Sequence, residues 1–315
     1  MSIHVSADNF VRAETDRMFS ELQRDTGGVN AFSHNRTPAP IDHQTVIRLN
    51  RDTLYSFAVA DLSGGATLTL PDPGKRYLSA MIVNNDHYIN TIYHDAGSYQ
   101  LTVADQGTPY VMVGVRILAD PNDPADLAEV AALQDRLQLT APSATPFAYP
   151  DYDAKSLDAT RDALLALAAQ STDLARTFGR PDQVDPVRHL MGAAAGWGGL
   201  PSTEATYMAV APESPGNHEL TLAEVPVDGF WSVSVYNAKG YFEPNPRNTY
   251  GVNSVTGMSN ADGSVTVRLG EYPDGTPNAI PTPAGWNLLV RLYRPRPEIL
   301  DGRWQLPPLI PVMQR

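Results

Sequence analysis

The chain carries a long run of β-branched and aromatic residues without Gly or Pro, Val46-Ile-Arg-Leu-Asn-Arg-Asp-Thr-Leu-Tyr-Ser-Phe-Ala-Val-Ala-Asp61. This composition predicts one long strand, in which successive side chains point to opposite faces. The first face is mostly apolar and is expected to point into a core; it contains Ile47, Leu49, Arg51, Thr53, Tyr55, Phe57 and Val59. The second face carries polar groups followed by small residues; it contains Arg48, Asn50, Asp52, Leu54, Ser56, Ala58 and Ala60.

Two interpretations of the second face stay open. Small residues beside aligned polar groups are typical of a pocket wall, with Asn50 and Asp52 pointing into the pocket. A half-exposed outer strand, whose Arg and Asp side chains form surface ion pairs, fits the same pattern.

Length and composition limit the kind of protein. The chain has 315 residues, which exceeds the usual size of one hydrophobic core, so we expect two domains. A hydrophobic content of 42% with 18% charged residues is ordinary for a globular protein. The 27 Pro and 23 Gly favour a turn-rich β protein over a helix bundle.

Charge and the absence of certain residues limit the partners and the chemistry. The formal net charge of −12 argues against nucleic acid and anionic membranes as partners, because both need a basic surface. The sequence contains no Cys, which excludes disulfides, thiol nucleophiles and thiolate metal sites. We expect a small-molecule ligand, and the sequence is compatible with a homo-oligomer.

The location is predicted from what the sequence lacks. The opening residues Met1-Ser-Ile-His-Val-Ser6 show no basic region followed by an apolar run, so no signal peptide is expected. No window approaches the roughly 18 to 20 apolar residues that span a bilayer. These observations predict a cytoplasmic protein.

The order of patterns along the chain predicts a mainly β protein with helices. Residues 1–40 read as an N-terminal helix and loop, and residues 41–122 as a first β sandwich, with turn signals every 8 to 15 residues. Residues 123–199 change to helical spacing, with helices expected to begin near Asp123, Ser156, Ser171 and Pro186. Residues 200–315 return to β patterns and read as a second antiparallel sandwich in tandem with the first.

Three motifs resemble a known pair of domains. Asn50-Arg-Asp-Thr-Leu-Tyr-Ser56 resembles the signature of the domain of unknown function 1254. Gly229-Phe-Trp-Ser-Val-Ser-Val-Tyr-Asn237 and Asn245-Pro-Arg-Asn-Thr-Tyr250 resemble the partner domain 1214, as does the tail Arg291-Leu-Tyr-Arg-Pro-Arg-Pro-Glu-Ile-Leu-Asp-Gly-Arg-Trp-Gln-Leu-Pro307. The resemblance implies two tandem jelly-roll-like sandwiches, and it supplies neither an activity nor catalytic residues.

A second polar cluster suggests acid–base chemistry. Asn84-Asn-Asp-His-Tyr88 is followed by Asn90, Tyr93 and His94, and in an extended strand Asn85, His87 and Tyr93 would share one face. A His beside Asp and Tyr suits proton transfer, because imidazole titrates near neutral pH and a carboxylate orients it. The alternative is a hairpin turn with His87 on the surface.

Metal and cofactor motifs are not visible. The seven His form no His-x-His or His-x₃-His pair, and a hard-cation site from Asp52 and Asp86 is only weakly suggested, so we expect no metal. Gly196-Trp-Gly-Gly199 follows a helix and is not a phosphate loop. No Gly-x-Ser-x-Gly motif and no nucleotide-binding motif is present, so we also expect no organic cofactor.

Two hypotheses from different classes remain. The first is a cofactor-independent enzyme (hydrolase, lyase or isomerase) that acts on a small polar or sugar-like molecule; its catalytic candidates are Asp52, His87, Tyr88 and Tyr93. The second is a non-catalytic ligand-binding or assembly module, because sandwiches often serve as binding scaffolds. The candidate ligand-binding residues are Arg48, Asn50, Asn85, Trp197 and Tyr236.

Overall fold

The computed structural model of the protein describes residues 2–44, 46–171 and 175–312. The chain divides into two compact units. The first consists of Met1–Thr37 and Thr53–Ser202, and the second of Pro38–Asp52 and Thr203–Arg315. One boundary therefore falls inside the run 46–61, and the helical segment predicted as a separate part, residues 123–199, belongs to the first unit.

The first unit contains two antiparallel sheets and five helices among its described residues. The strands are β1 (Ser33–His34), β2 (Thr53–Asp61), β3 (Ala66–Leu70), β4 (Leu78–Asn84), β5 (Ile89–Tyr93), β6 (Gly97–Leu101), β7 (Tyr110–Leu118) and β8 (Gln138–Thr140). The helices are α1 (Phe10–Thr26), α2 (Val103–Gln106), α3 (Pro124–Gln134), α4 (Ala154–Ala168) and α5 (Pro186–Ala195). The sheet orders are β1-β2-β7-β4-β5 and β6-β3-β8.

One apolar core lies between the two sheets of the first unit. It takes residues from β2, β4 and β7 of the larger sheet and from β3, β6 and β8 of the smaller one. On β2 the core residues are Leu54, Ala58 and Ala60, which belong to the face predicted as a pocket wall. That prediction was wrong, because leucines of the facing sheet fill the volume above the small residues. Tyr55 and Phe57, predicted to point inward, are on the opposite side and only half-buried.

The predicted long strand begins later than expected. Strand β2 starts at Thr53, and Arg48 has a φ of 53°, in the left-handed region that a strand does not contain. The N–H of Arg48 donates to the carbonyl oxygen of Gly240 at 2.8 Å. Residues 46–52 therefore turn and do not continue the strand, and the alignment of Arg48, Asn50 and Asp52 by strand alternation does not hold.

Among its described residues, the second unit contains two four-stranded sheets. Its strands are β9 (Ala205–Val210), β10 (Asn217–Leu222), β11 (Trp231–Tyr236), β12 (Gly251–Asn253), β13 (Val265–Leu269), β14 (Ala279–Ile280), β15 (Asn287–Tyr293) and β16 (Ile310–Val312), with one short helix, α6 (Pro297–Leu300). The orders are β14-β13-β10-β16 and β12-β11-β15-β9. All pairs are antiparallel except β13 with β14. Alternate residues of β10, β11, β13 and β15 form the core between the sheets.

These elements confirm a mainly β protein with two sandwiches and a helical segment. Helices α3, α4 and α5 lie within residues 123–199, whereas the helix predicted at 171–178 lies partly outside the described residues. Across the described ranges, no helix has the length and apolar character needed to cross a membrane. The jelly-roll topology and the cytoplasmic location stay predictions.

Candidate functional site

The structure separates the predicted site residues into two groups. Arg48, Asn50, Asp52 and Tyr236 belong to the second unit, and Asn85, His87, Tyr88 and Trp197 belong to the first. Tyr93 joins neither group, because its ring stacks on Tyr99 with centroids 3.9 Å apart.

Arg291, on β15, is the centre of the group in the second unit. Its side chain is buried, and it lies on the face of the sheet that points away from the core, as do Ser234 and Tyr236 on the paired strand β11. Nη1 donates to Ser234 Oγ at 2.9 Å, and Nη2 donates to Tyr236 Oη at 2.7 Å. Nη2 also donates to the carbonyl oxygen of Arg48 at 2.8 Å. The guanidinium therefore attaches the segment Pro38–Asp52 to this sheet.

Asn50 and Asp52 meet through a turn. The Oδ1 of Asn50 accepts from the N–H of Asp52 at 2.9 Å, a local bond that Asn side chains form readily. The Nδ2 of Asn50 donates to Tyr293 Oη at 3.1 Å. The carboxylate of Asp52 is buried, and its Oδ2 accepts from Ser232 Oγ at 2.6 Å. Burial raises the pKa of Asp52, while the charge of Arg291 and the Ser232 hydrogen bond oppose the rise.

Arg48 has fewer partners than its neighbours. Its guanidinium lies over the Tyr236 ring, 5.5 Å from the centroid, and Arg291 lies 5.9 Å from the same centroid. Within the described part of the chain, the buried Nη1 of Arg48 has no hydrogen-bond partner. Burial lowers the pKa of Arg48, and the charge of Arg291 acts in the same direction, while Tyr236 opposes both. Two guanidinium groups thus share one aromatic ring, with Asp52 as the neighbouring carboxylate.

The sequence analysis did not place Arg291 in the site. A signal was present, because Arg291 and Tyr293 alternate with Leu292 in the same way that Ser232 and Ser234 alternate with Val233. Pairing of the two strands brings these polar faces together, with Ser232 opposite Arg291. The sequence of β11 or of β15 alone does not show that these two strands pair.

His87 is the central residue of the group in the first unit. It lies in the hairpin turn between β4 and β5, with a φ of 61°, and is 0% exposed. The turn interpretation is therefore correct, but the predicted surface position of His87 was wrong. Nε2 accepts from the N–H of Gly198 at 2.9 Å, so the proton of the neutral ring is on Nδ1, which has no hydrogen-bond partner among the described residues. Burial, followed by the nearby His189, lowers the pKa of His87 to about 3.

Four stacked rings surround the turn. His87 stacks on Trp197 and on His189, each with centroids 5.3 Å apart, and Tyr88 stacks on the other side of His189 at 4.7 Å. The Nε2 of His189 lies 3.0 Å from the carbonyl oxygen of Asp86. The stack positions α5 and the glycine-rich turn against the end of β4, and neither His87 nitrogen reaches solvent.

Asn85 is hydrogen-bonded to a buried carboxylate, that of Asp16, which was not predicted from the sequence. Its Nδ2 donates to Asp16 Oδ1 at 2.7 Å, and the hydroxyl of Tyr152 donates to Asp16 Oδ2 at 2.9 Å. Burial raises the pKa of Asp16, and the two hydrogen bonds oppose this effect. The available signal was its position on α1, three residues from both Ala13 and Phe19 on the buried stripe of that helix.

A metal site needs several ligand side chains close together. Within residues 2–44, 46–171 and 175–312, no group of three or more His, Asp or Glu side chains is placed to hold a metal ion. Asp52 and Asp86, the weak hard-cation candidates, belong to different units.

Together these features define a mainly β protein built from two sandwiches. Residues 29–141 match the family model described as "Protein of unknown function (DUF1254)", and residues 211–297 match "Protein of unknown function (DUF1214)". The chain therefore carries matches to these two domains in tandem, which confirms the motif-based prediction.

Solved structures resemble the chain in fold. The crystal structure of the VPA0106 protein from Vibrio parahaemolyticus has a TM-score of 0.75 at 18% identity, and the match covers 98% of each chain. An uncharacterized protein from Burkholderia cenocepacia has a TM-score of 0.52 at 14% identity, over 90% of this chain and 84% of that one. At these identities the likeness concerns the fold alone. A search of the curated proteins gives no match.

Proposed function

We propose that the protein binds a small anionic molecule without transforming it, at the Arg48–Tyr236–Arg291 cluster of the second unit. The observation that carries this proposal is the Nη1 of Arg48, which is buried and has no hydrogen-bond acceptor among the residues that the structure describes. A buried donor that lacks an acceptor costs roughly 1–3 kcal/mol. An anion that accepts from this group recovers that free energy on binding.

The local charge supports an anion. Asp52 is the carboxylate beside Arg291, and one of its oxygens already accepts from Ser232. Two guanidinium groups and one carboxylate leave the cluster positive, although the whole chain carries a formal charge of −12. Guanidinium forks match the oxygens of carboxylates, phosphates and sulfates, and short charge-assisted hydrogen bonds form in such pairs.

The geometry favours a binding protein over an acid–base enzyme. A general acid or base must come within hydrogen-bond distance of the reacting atom. His87 is fully buried, and its Nε2 accepts from a backbone N–H. Asp52 is 7% exposed, and its carboxylate accepts a hydrogen bond from Ser232. Both groups support the structure around them, so we place the function in recognition.

The test is a titration of the full chain with sulfate, monitored by calorimetry and by melting temperature. We expect the wild-type protein to bind sulfate and Arg48→Gln to bind it at least tenfold more weakly. The control is Arg303→Gln, because Arg303 is an exposed arginine whose side chain pairs with Asp301. Equal affinities for the two variants, or no sulfate binding by the wild type, would overturn the proposal.

A further inference from the structure

The outer face of the three-stranded sheet β6-β3-β8 is a separate feature of the first unit. Its inner face supplies core residues from all three strands, including Leu68, Leu101 and Leu139. The alternate residues point outward, and all six are uncharged hydroxyl or carboxamide side chains: Thr67, Thr69, Ser98, Gln100, Gln138 and Thr140.

Strand pairing arranges these six side chains in two rows of three. Thr67 of the central strand lies opposite Gln100 on one side and Thr140 on the other. The next row places Thr69 between Ser98 and Gln138. Neighbouring strands are about 4.8 Å apart, and alternate residues of one strand are about 7 Å apart. The face is therefore a regular grid of hydrogen-bonding groups without a formal charge.

A cavity that is open to solvent lies at the first of these rows. Its volume is about 300 Å³, at the lower end of the range for small-molecule sites. It is lined by Gly64, Gly65, Ala66, Thr67, Gln100, Thr140, Ala141 and Pro142. No lining residue is charged.

The row beside the cavity keeps donors and acceptors for a ligand. The Nε2 of Gln100 donates to Thr67 Oγ1 at 2.9 Å, which orients both side chains. The Oε1 of Gln100 can then accept, and the hydroxyl of Thr67 can donate, toward the cavity. Thr140 adds a hydroxyl that does both. Such groups can form hydrogen bonds with alcohols, whose oxygen atom both donates and accepts. A charged ligand would need a group of opposite charge to compensate for its lost hydration.

We propose that this cavity binds a neutral polyhydroxylated molecule, one sugar ring of an oligosaccharide, at the row formed by Thr67, Gln100 and Thr140. The proposal rests on a different unit and on different residues from the anion site. The cavity coincides with a grid of uncharged hydrogen-bonding groups, in a chain of which 18% of residues are charged.

The wall of the cavity depends on a glycine. A Cβ built on Gly64 would lie 2.6 Å from Cγ of Pro142, closer than such atoms approach in proteins. Because the Pro142 ring is stiff, Gly64→Ala has to move this wall. The variant therefore changes the shape of the cavity without removing a polar group.

The test is a titration of the full chain with neutral oligosaccharides, namely maltotriose, cellotriose and chitotriose, followed by calorimetry and by NMR. We expect at least one of them to bind, and Thr67→Val and Gln100→Leu each to weaken binding at least tenfold. The matched control is Thr69→Val, the same substitution on the same strand and face but outside the cavity lining. Melting temperatures show that each variant is folded; Gln100 is exposed, so its variant tests the proposal even where Thr67→Val fails to fold.

Three outcomes would overturn the proposal: no binding of any of the three sugars, equal loss in Thr69→Val, or chemical-shift changes confined to the second unit. None of these results bears on sulfate binding at Arg48. The sugar-binding proposal and the anion-binding proposal are therefore tested independently.

Discussion

The protonation state of the His87 ring is coupled to the folding of the chain. Its Nε2 must stay unprotonated to accept from the N–H of Gly198, and its ring lies between Trp197 and His189. Protonation of Nε2 would replace that hydrogen bond with two opposing donors and would place a charge in a buried stack. The folded state therefore requires the neutral ring.

This requirement predicts a loss of stability in acid. The pKa of His87 is about 3 in the folded protein and near 6.5 in the unfolded chain, so protons bind the unfolded state preferentially between these values. The contribution of His87 is fully present above pH 6.5 and is lost as the pH falls from 6.5 toward 3. The free energy of unfolding should decrease by up to about 1.4 kcal/mol per pH unit from this residue.

The measurement is urea unfolding between pH 7 and pH 4 for the wild type and for His87→Gln, which cannot titrate. The difference between the two should shrink as the pH falls. Comparing variants matters because Asp16 and Asp52, whose pKa values burial raises, act in the opposite direction. The control is His43→Gln at an exposed position. Parallel curves for the wild type and His87→Gln would contradict the prediction.

Asp52 gives a second prediction at the scale of one residue. Its carboxylate competes with a bound anion for the positive cluster, so Asp52→Asn should strengthen sulfate binding by about 1 kcal/mol, or about fivefold in Kd. Because the pKa of Asp52 is raised, wild-type affinity should increase as the pH falls toward that pKa, above the range of an ordinary Asp. Calorimetric titrations at several pH values check both effects. Weaker sulfate binding by Asp52→Asn would count against the cluster as an anion site.

At the scale of elements, the β4–β5 turn connects the larger sheet to the helices. Adjacent residues of this turn make two different links to α1: Asn85 donates to the buried Asp16, and Asp86 pairs with Arg12, with both side chains of that pair 43% exposed. A buried link and a half-exposed link thus join the same pair of elements, so their strengths can be compared directly.

We predict that the buried link is the stronger one. Asn85→Ala leaves an oxygen of the buried Asp16 without its donor and should cost roughly 1–3 kcal/mol of unfolding free energy. Asp86→Ala removes an ion pair that solvent screens and should cost about 0–1 kcal/mol. Thermal and urea unfolding of both variants provide the comparison. A larger loss in Asp86→Ala would show that the Arg12 pair, and not the Asp16 hydrogen bond, holds α1 to the turn.

Strand β2 shows which structural features can be predicted from a sequence pattern. Alternation predicted a strand ending at Asp61 and the two sets of residues that share its faces. It did not identify the inward face correctly: the apolar first face was predicted to point into the core, but Ala58 and Ala60 of the second face line it. Which face points inward depends on the leucines of the facing sheet, which are distant in sequence. Alternation also gave no sign that Arg48 turns the chain.

At the scale of the whole molecule, the sequence predicted two sandwiches and the tandem family, because turn spacing and local motifs are sufficient for both. It did not show that Pro38–Asp52 belongs to the second unit. That assignment depends on hydrogen bonds between residues far apart in the sequence, such as the one from Arg291 to the carbonyl oxygen of Arg48, 243 positions away. The candidate site follows the same rule: Arg48, Asn50 and Asp52 were predicted together as one strand face and Tyr236 was predicted separately. Arg291, which donates to the carbonyl oxygen of Arg48 and to the hydroxyl of Tyr236, was missed.

The contribution of Pro38–Asp52 to the second unit leads to a prediction about fragments. In a fragment of residues 203–315, Ser232 loses Asp52, Arg291 loses the backbone oxygen of Arg48, and Tyr236 loses the carbonyl oxygen of Leu49, to which its hydroxyl donates at 2.8 Å. Each buried polar group left without its partner costs roughly 1–3 kcal/mol, and a domain has only about 5–15 kcal/mol in total.

We therefore expect the fragment 203–315 to lack fixed tertiary structure by near-ultraviolet circular dichroism, and a synthetic peptide of residues 38–52 to restore it. The same peptide with Asp52→Ala and Leu49→Ala should restore it less, because it lacks the Ser232 acceptor and the Leu49 side chain that packs beside Tyr236. A scrambled peptide should have no effect. A fragment that folds by itself with native near-ultraviolet signals would show that the second unit does not need this segment, and the role of Arg291 as its attachment point would have to be abandoned.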